Sequence, residues 1–194
     1  NGCSPAAKID ELQAAGHQPS YIYRGHKADL FEGGHRVPFI VRWPGKVKAG
    51  SVSNQLIGQF DFMATFAELT GATLTPNMGE DSVSFLPVLL GTTDKTIRSS
   101  IVSQSINGSF AIRDGQWKLN LCAGSGGWSA PRPGSPEEKG LPEFQLYNLQ
   151  DDPGETKNLA VAQPERVATM KASMEQAIAR GRTPAPPVER IYFN

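Results

Sequence analysis

One largely apolar run in the chain is Val37 to Trp43, V-P-F-I-V-R-W, and its β-branched and aromatic content predicts a strand. Pro38 sits near the start, where a strand tolerates a missing N–H, and Pro44-Gly45 closes the run. Helical spacing recurs in three places. Ser4-Pro5 supplies an N-cap and a first helical residue, and Gly16 a stop, so residues 5–15 are expected to be helical. From Gln59 to Thr70, apolar residues at 62, 63, 66 and 69 lie on one face, with Asp61 as the expected N-cap and Gly71 just beyond the end. From Pro164 to Arg180, Val167, Met170, Met174 and Ile178 form a stripe ahead of Gly181, which makes the methionines core residues of a helix.

The pattern between these helices is of two kinds. Residues 71–96 are turn-rich around one apolar patch, Val83–Leu90, and predict a loop holding a short helix. After residue 96 come short alternating segments, Ile101–Ser105, Ser109–Arg113 and Gln116–Leu121, the last two joined by Asp114-Gly115, a hairpin signal. Residues 123–142 are rich in Gly, Pro and Ser and read as a long surface loop, functional or mobile. A further strand at Gln145–Leu149 precedes a turn at Asp151-Asp152-Pro153-Gly154. The economical assembly is a three- or four-stranded antiparallel sheet with one covering helix. The tail from Thr183 carries three prolines and reads as extended, ending in Ile191-Tyr192-Phe193, a candidate docking segment.

Composition narrows the function classes. With 19 basic and 19 acidic residues and a pI near 7.0, the chain has no electrostatic footprint for nucleic acid. Its apolar stretches are far shorter than a bilayer requires, so no membrane partner is expected. The 20 glycines and 15 prolines imply much loop. Cys3 and Cys122 permit one disulfide at most. Asn1-Gly2-Cys3 reads as the middle of a chain, which makes a fragment the expectation.

Candidate chemistry concentrates in Gly25–Gly45. Lys27 offers an ammonium on a flexible stem, suited as a point charge to a tetrahedral oxyanion. Gly33-Gly34 permit positive φ and close backbone approach where the loop must turn. Glu32 and Arg36 are expected to fix that turn, through an ion pair or a backbone contact, rather than to act in catalysis. His26 and His35 each either reach a ligand or hold the loop, and His35 is the candidate specificity contact. Trp128, among glycines in the long loop, either stacks on a sugar ring or shields the sheet.

Four separate motifs, in order, resemble the sulfatases, the formylglycine-dependent sulfuric ester hydrolases of the alkaline phosphatase superfamily. They are G-x-K-x-x-x-x-E-G-G-x-R-x-P with the following W-P-G (Gly25–Gly45), E-D-S-x-S-F-L-P-x-L-x-G (Glu80–Gly91), R-D-G-x-W-K-L (Arg113–Leu119), and L-Y-N-L-x-x-D-P-x-E-x-x-N-L (Leu146–Leu159). The resemblance implies an α/β fold of which this chain is the C-terminal part: the end of the large domain over residues 1–96, a small antiparallel sheet and helix over 97–182, and a tail over 183–194. It implies hydrolysis of a sulfate ester to an alcohol and inorganic sulfate, with a hydrated formylglycine attacking sulfur and with calcium and lysine stabilising the sulfuryl oxygens.

Mapped onto this chain, the resemblance makes Lys27 the sulfate-contacting residue and Asn1, from an Asp-Asn-Gly, a ligand of one calcium ion. The nucleophile motif C-x-P-x-R is not met by Cys3-Ser4-Pro5-Ala6-Ala7, which has Ala7 in place of arginine, so Cys3 is not read as the formylglycine precursor. The precursor and the other calcium ligands are expected upstream, and the chain alone is expected to be inactive. A sulfated small molecule or carbohydrate as substrate, the N-terminal half of the enzyme as partner, and a periplasmic or secreted location follow from the same resemblance. Two other classes fit less of the sequence: a phosphodiesterase or phosphonate hydrolase of the same superfamily, and a noncatalytic carbohydrate- or partner-binding piece.

Overall fold

A computed structural model describes residues 1–183. The expected tail from residue 184, including the docking segment at 191–193, lies outside the described residues. The chain groups into two compact units: Asn1–Pro38 with Val102–Ser173, and Phe39–Ile101 with the chain from Met174 onward.

The first unit is built on a four-stranded sheet in the order β1 (Ser100–Gln104), β2 (Phe110–Asp114), β3 (Trp117–Asn120) and β4 (Gln145–Asn148). β2/β3 and β3/β4 are antiparallel, as the alternation predicts. Asp114 pairs directly with Trp117, so the tight turn is Gly115-Gln116, one residue later than the Asp-Gly signal, with Gly115 at φ 55°.

Register gives the sheet two unlike faces. Ile112, Leu119 and Leu146 stand opposite one another in one buried apolar row, and Arg113, Lys118 and Tyr147 form a row on the other face. Helix α5 (Pro164–Arg180) begins in this unit and covers the apolar face: the Arg166 guanidinium lies 4.1 Å from the Trp117 ring centroid and the Lys171 ammonium 5.2 Å from that of Phe144. Its buried stripe is Met170, Met174 and Ala177, whereas Ile178 is exposed. The opposite face meets residues 29–35, where Phe31 packs with Tyr147 and Leu149.

Three expectations change here. The predicted helix over 5–15 is broken into a 3-10 turn (Pro5–Ala7), capped by Ser4 Oγ accepting from Ala6 N–H, and helix α1 (Ile9–Ala14), because Lys8 between them adopts φ 56°. The run 37–43 is not a strand: Ile40 is 90% exposed, and no strand among the described residues pairs with it, so its backbone has no ladder to join. The 123–142 loop is not wholly on the surface. Gly124–Gly127 are buried, and a 3-10 turn forms at Pro136–Glu138.

In the second unit a 3-10 turn (Gln59–Asp61) leads into α3 (Phe62–Thr70), which ends at Gly71 with φ 72°, and α4 (Leu86–Leu89) is the short helix expected in the apolar patch. Phe39, Phe62 and Phe85 meet edge-on with centroids 5.6 Å apart. Asp61 does not cap α3. Its carboxylate accepts from Gly58 N–H and Val83 N–H, each at 2.8 Å, and pairs with buried Arg98, which also donates to the Asp81 carbonyl at 2.6 Å.

Candidate anion site

The Gly25–Arg36 segment folds back on itself through backbone contacts too close for any side chain. Glu32–His35 form a single helical turn, α2, and Gly33 and Gly34 are not in the positive-φ region expected of a glycine turn. Their value is proximity. A Cβ on Gly33 would stand 2.4 Å from the Gly25 carbonyl oxygen, and one on Gly34 2.3 Å from that of Asp29.

The N-terminal residues are laid against this fold-back. Gly2 N–H donates to Gly34 O at 2.8 Å and Lys27 N–H to Cys3 O at 2.9 Å, and a Cβ on Gly2 would collide with Gly33 O. Asn1 and Lys27, distant in sequence, are thereby braced within one small backbone cluster. Asn1 is exposed and Lys27 half-buried, and among the described residues Lys27 makes no ion pair. A fixed backbone under an uncompensated ammonium is an arrangement that can hold an oxyanion.

Asp29 locks the loop to the rest of the unit. Its buried carboxylate accepts from His26 N–H (2.9 Å), Trp128 N–H (2.7 Å), Ser129 N–H (3.0 Å) and Ser129 Oγ–H (2.5 Å). His26 Nδ1 lies 3.0 Å from the Lys27 carbonyl, an acceptor, so this nitrogen carries the proton.

Beneath the loop, Glu32 is the hub of a buried charge network reaching the polar row of the sheet. Its carboxylate meets Lys118 Nζ at 3.1 Å, Arg36 at 3.2 Å, His35 Nε2 at 3.4 Å and Arg113 at 3.5 Å. The expected Glu32–Arg36 pair is therefore one spoke of several. Lys118 Nζ is also 3.0 Å from Glu155 Oε1, a charge contact, while Glu155 Oε2 accepts the Glu32 N–H at 2.5 Å. Burial opposes ionisation of Glu32, but the His35 hydrogen bond and the Lys118 and Arg113 charges outweigh it and hold the carboxyl well below the usual range. Among the described residues Glu155 has Lys118 alone as its cation, and burial pushes its carboxyl up.

His35 is drawn into this network. Burial lowers its pKa more than the Glu32 bond raises it, so the ring is neutral near pH 7. Both cysteines are free thiols, and burial pushes Cys122 up to about 11. Trp128 is 40% exposed. Sequence reasoning passed over Asp29, Lys118 and Glu155. A lysine between Trp117 and Leu119 in a strand is a local sign of a buried charge row, and both Lys118 and Glu155 stand at fixed positions of the quoted motifs, which gave them no role.

Calcium fits these residues poorly on their own. The described residues contain no cluster of three acidic, His or Cys side chains able to hold a metal ion, and Asp29 is saturated by hydrogen bonds. Asn1 is one oxygen donor, where a calcium ion takes about six to eight.

Lys27 thus sits on a polar loop packed against a small antiparallel sheet with a covering helix. Residues 26–120 match the family described as N-sulphoglucosamine sulphohydrolase, C-terminal. The chain is 38% identical over 168 residues to an N-acetylgalactosamine-6-O-sulfatase of Bacteroides thetaiotaomicron, covering 85% of this chain and 32% of that one. It is 32% identical over 193 residues to human arylsulfatase A, covering 86% and 38%. A solved 6S-sulfatase of Bacteroides thetaiotaomicron, from work on glycosaminoglycan metabolism, superposes with a TM-score of 0.73 at 35% identity over 87% of this chain and 34% of that one. The PsFucS1 sulfatase from Pseudoalteromonas sp., at 24% identity and a TM-score of 0.60, shares the fold over 84% and 34%. The chain belongs to the sulfatase family and corresponds to its C-terminal portion. It spans about a third of the length of these relatives.

Proposed function

We propose that the protein to which this chain belongs hydrolyses the sulfate ester of a carbohydrate, giving an alcohol and inorganic sulfate. The observation that carries this reading is Lys27, whose backbone is braced against Cys3 and whose ammonium makes no ion pair among the described residues. As the S–O bond breaks, negative charge grows on the ester oxygen, and a cation already fixed in place stabilises that charge without reorganising. Lys27 is the residue of this chain assigned to it. Neutral His35, half-buried beside Glu32, is the candidate for a hydrogen bond to a sugar hydroxyl. A sulfated carbohydrate is favoured because the relative at 38% identity bears the name of an N-acetylgalactosamine-6-O-sulfatase.

The attacking group in this proposal is a formylglycine hydrate, supplied by sequence outside this chain. Asn1 is proposed as one oxygen of a calcium site whose other donors would come from outside residues 1–183. The N-terminal half of the enzyme is the proposed partner, and a periplasmic or secreted location is proposed with it.

The coding sequence upstream of Asn1 is the first test: a C-x-P-x-R motif supports the reading, and a Ser or Thr nucleophile moves the protein to phosphate or phosphonate esters. The purified 194-residue chain should not turn over 4-nitrophenyl sulfate, and measurable turnover sinks that part of the proposal. In the protein carrying the motif, Lys27→Ala should lower kcat by about 100-fold or more, the scale of losing one charge-stabilising group.

A further inference from the structure

An open groove of about 850 Å³ has walls that include Lys8, Asp10, Trp128, Arg132, Glu137 and His26, the residue that precedes Lys27 in the chain. All belong to the first unit. The volume falls within the range, roughly 300–1,000 Å³, of clefts that hold small organic ligands.

The groove is built rather than incidental. Trp128 has its N–H on Asp29 Oδ1 at 2.7 Å and its carbonyl accepting from Arg132 Nε at 2.6 Å, so the backbone on both sides of the indole is pinned while the ring stays 40% exposed. The same Asp29 carboxylate takes the His26 N–H, coupling Trp128 to the residue next to Lys27. With Nδ1 committed to the Lys27 carbonyl, His26 presents Nε2 as an acceptor. Lys8 is compensated by Glu11 at 2.9 Å, but among the described residues Arg132 makes no ion pair.

We propose that this groove is a saccharide subsite: it takes the sugar unit next to the sulfated one, the pyranose face lying on Trp128 and an anionic substituent on Arg132. The chemistry suits that ligand. An exposed indole offers an apolar plane to ring C–H groups and a donor at its edge, carboxylates and an imidazole nitrogen accept from hydroxyls, and a free guanidinium pairs with a carboxylate or sulfate. The proposal rests on the sulfate-ester reading above and extends it from the scissile group to the neighbouring sugar.

The test is calorimetric titration of the full-length protein with a uronate-containing sulfated disaccharide prepared from chondroitin sulfate, beside kinetics on 4-nitrophenyl sulfate. Trp128→Ala and Arg132→Met should each weaken disaccharide binding about tenfold, Trp128→Phe should retain most of it, and kcat/KM for 4-nitrophenyl sulfate should stay within twofold. No disaccharide binding by the wild type, undiminished binding by both variants, or equal losses on both ligands overturns the subsite. Should Trp128→Ala fail to fold, the exposed Arg132→Met variant decides alone. Disaccharide binding that depends on Trp128 without turnover of any sulfate ester leaves the subsite standing and removes the hydrolase reading.

Discussion

Gly33 shows why a single residue type is required at the candidate site. It is not needed for an unusual φ; it is needed because two carbonyl oxygens, of Gly25 and Arg24, stand 2.4 and 2.6 Å from where a Cβ would be. Those carbonyls belong to the backbone that carries Lys27, so they cannot yield without moving the ammonium. Gly33→Ala should therefore destabilise the protein by about 2 kcal/mol or more, as overpacking against backbone does, and should also displace Lys27. Chemical denaturation checks the first effect. Loss of sulfate-ester turnover in soluble, folded variant protein checks the second.

At the scale of elements, β3 links the sheet to the site. Leu119 faces the apolar row under α5, and its neighbour Lys118, pointing the other way, bridges Glu32 and Glu155. Glu32 keeps Arg36, Arg113 and the His35 contact if that lysine is lost, but Glu155 keeps no cation among the described residues. Removing one member of a buried charged set typically costs about 3–5 kcal/mol, chiefly from the charge left behind. Lys118→Met is expected to destabilise on that scale, and adding Glu155→Gln should recover part of the loss. If the double variant is no more stable than Lys118→Met, Glu155 is not the group left unpaired.

For the whole molecule, the two buried carboxyls pull stability in opposite directions with pH. Glu32 is lowered in the folded state, so its contribution is present above about pH 4.5 and is lost as pH falls through its folded value. Glu155 is raised, so the folded state keeps a proton that the unfolded chain releases, and stability falls as pH rises from about 4.5 through the folded value. The pair alone thus favours mildly acidic conditions. Glu155→Gln should gain stability relative to wild type as pH rises above about 4.5 and then level off. Urea unfolding at a series of pH values measures this, and a pH-independent difference would falsify it.

Local pattern was enough to place the antiparallel strands, α5 to its terminal residues, and the α4 turn, because each depends on spacing within a short window and on Gly or Pro at its ends. The motifs likewise sufficed for the family. Val37–Trp43 shows the limit: apolar β-branched residues predict a strand, yet a strand exists only where a neighbour accepts its hydrogen bonds. The same holds for Asp61, which looks like a helix cap in sequence and is instead the partner of Arg98, 37 residues away. Lys118, Glu155 and Asp29 act through contacts spanning 86, 123 and about 100 residues, and no window of sequence contains both ends of such a bond. Sequence determined which residues carry charge and roughly where the sheet strands and α5 lie. Tertiary structure decided which charges are neutralised, because the partners are brought together from distant parts of the chain, and among the described residues Lys27 is one of several cations it leaves without an ion pair.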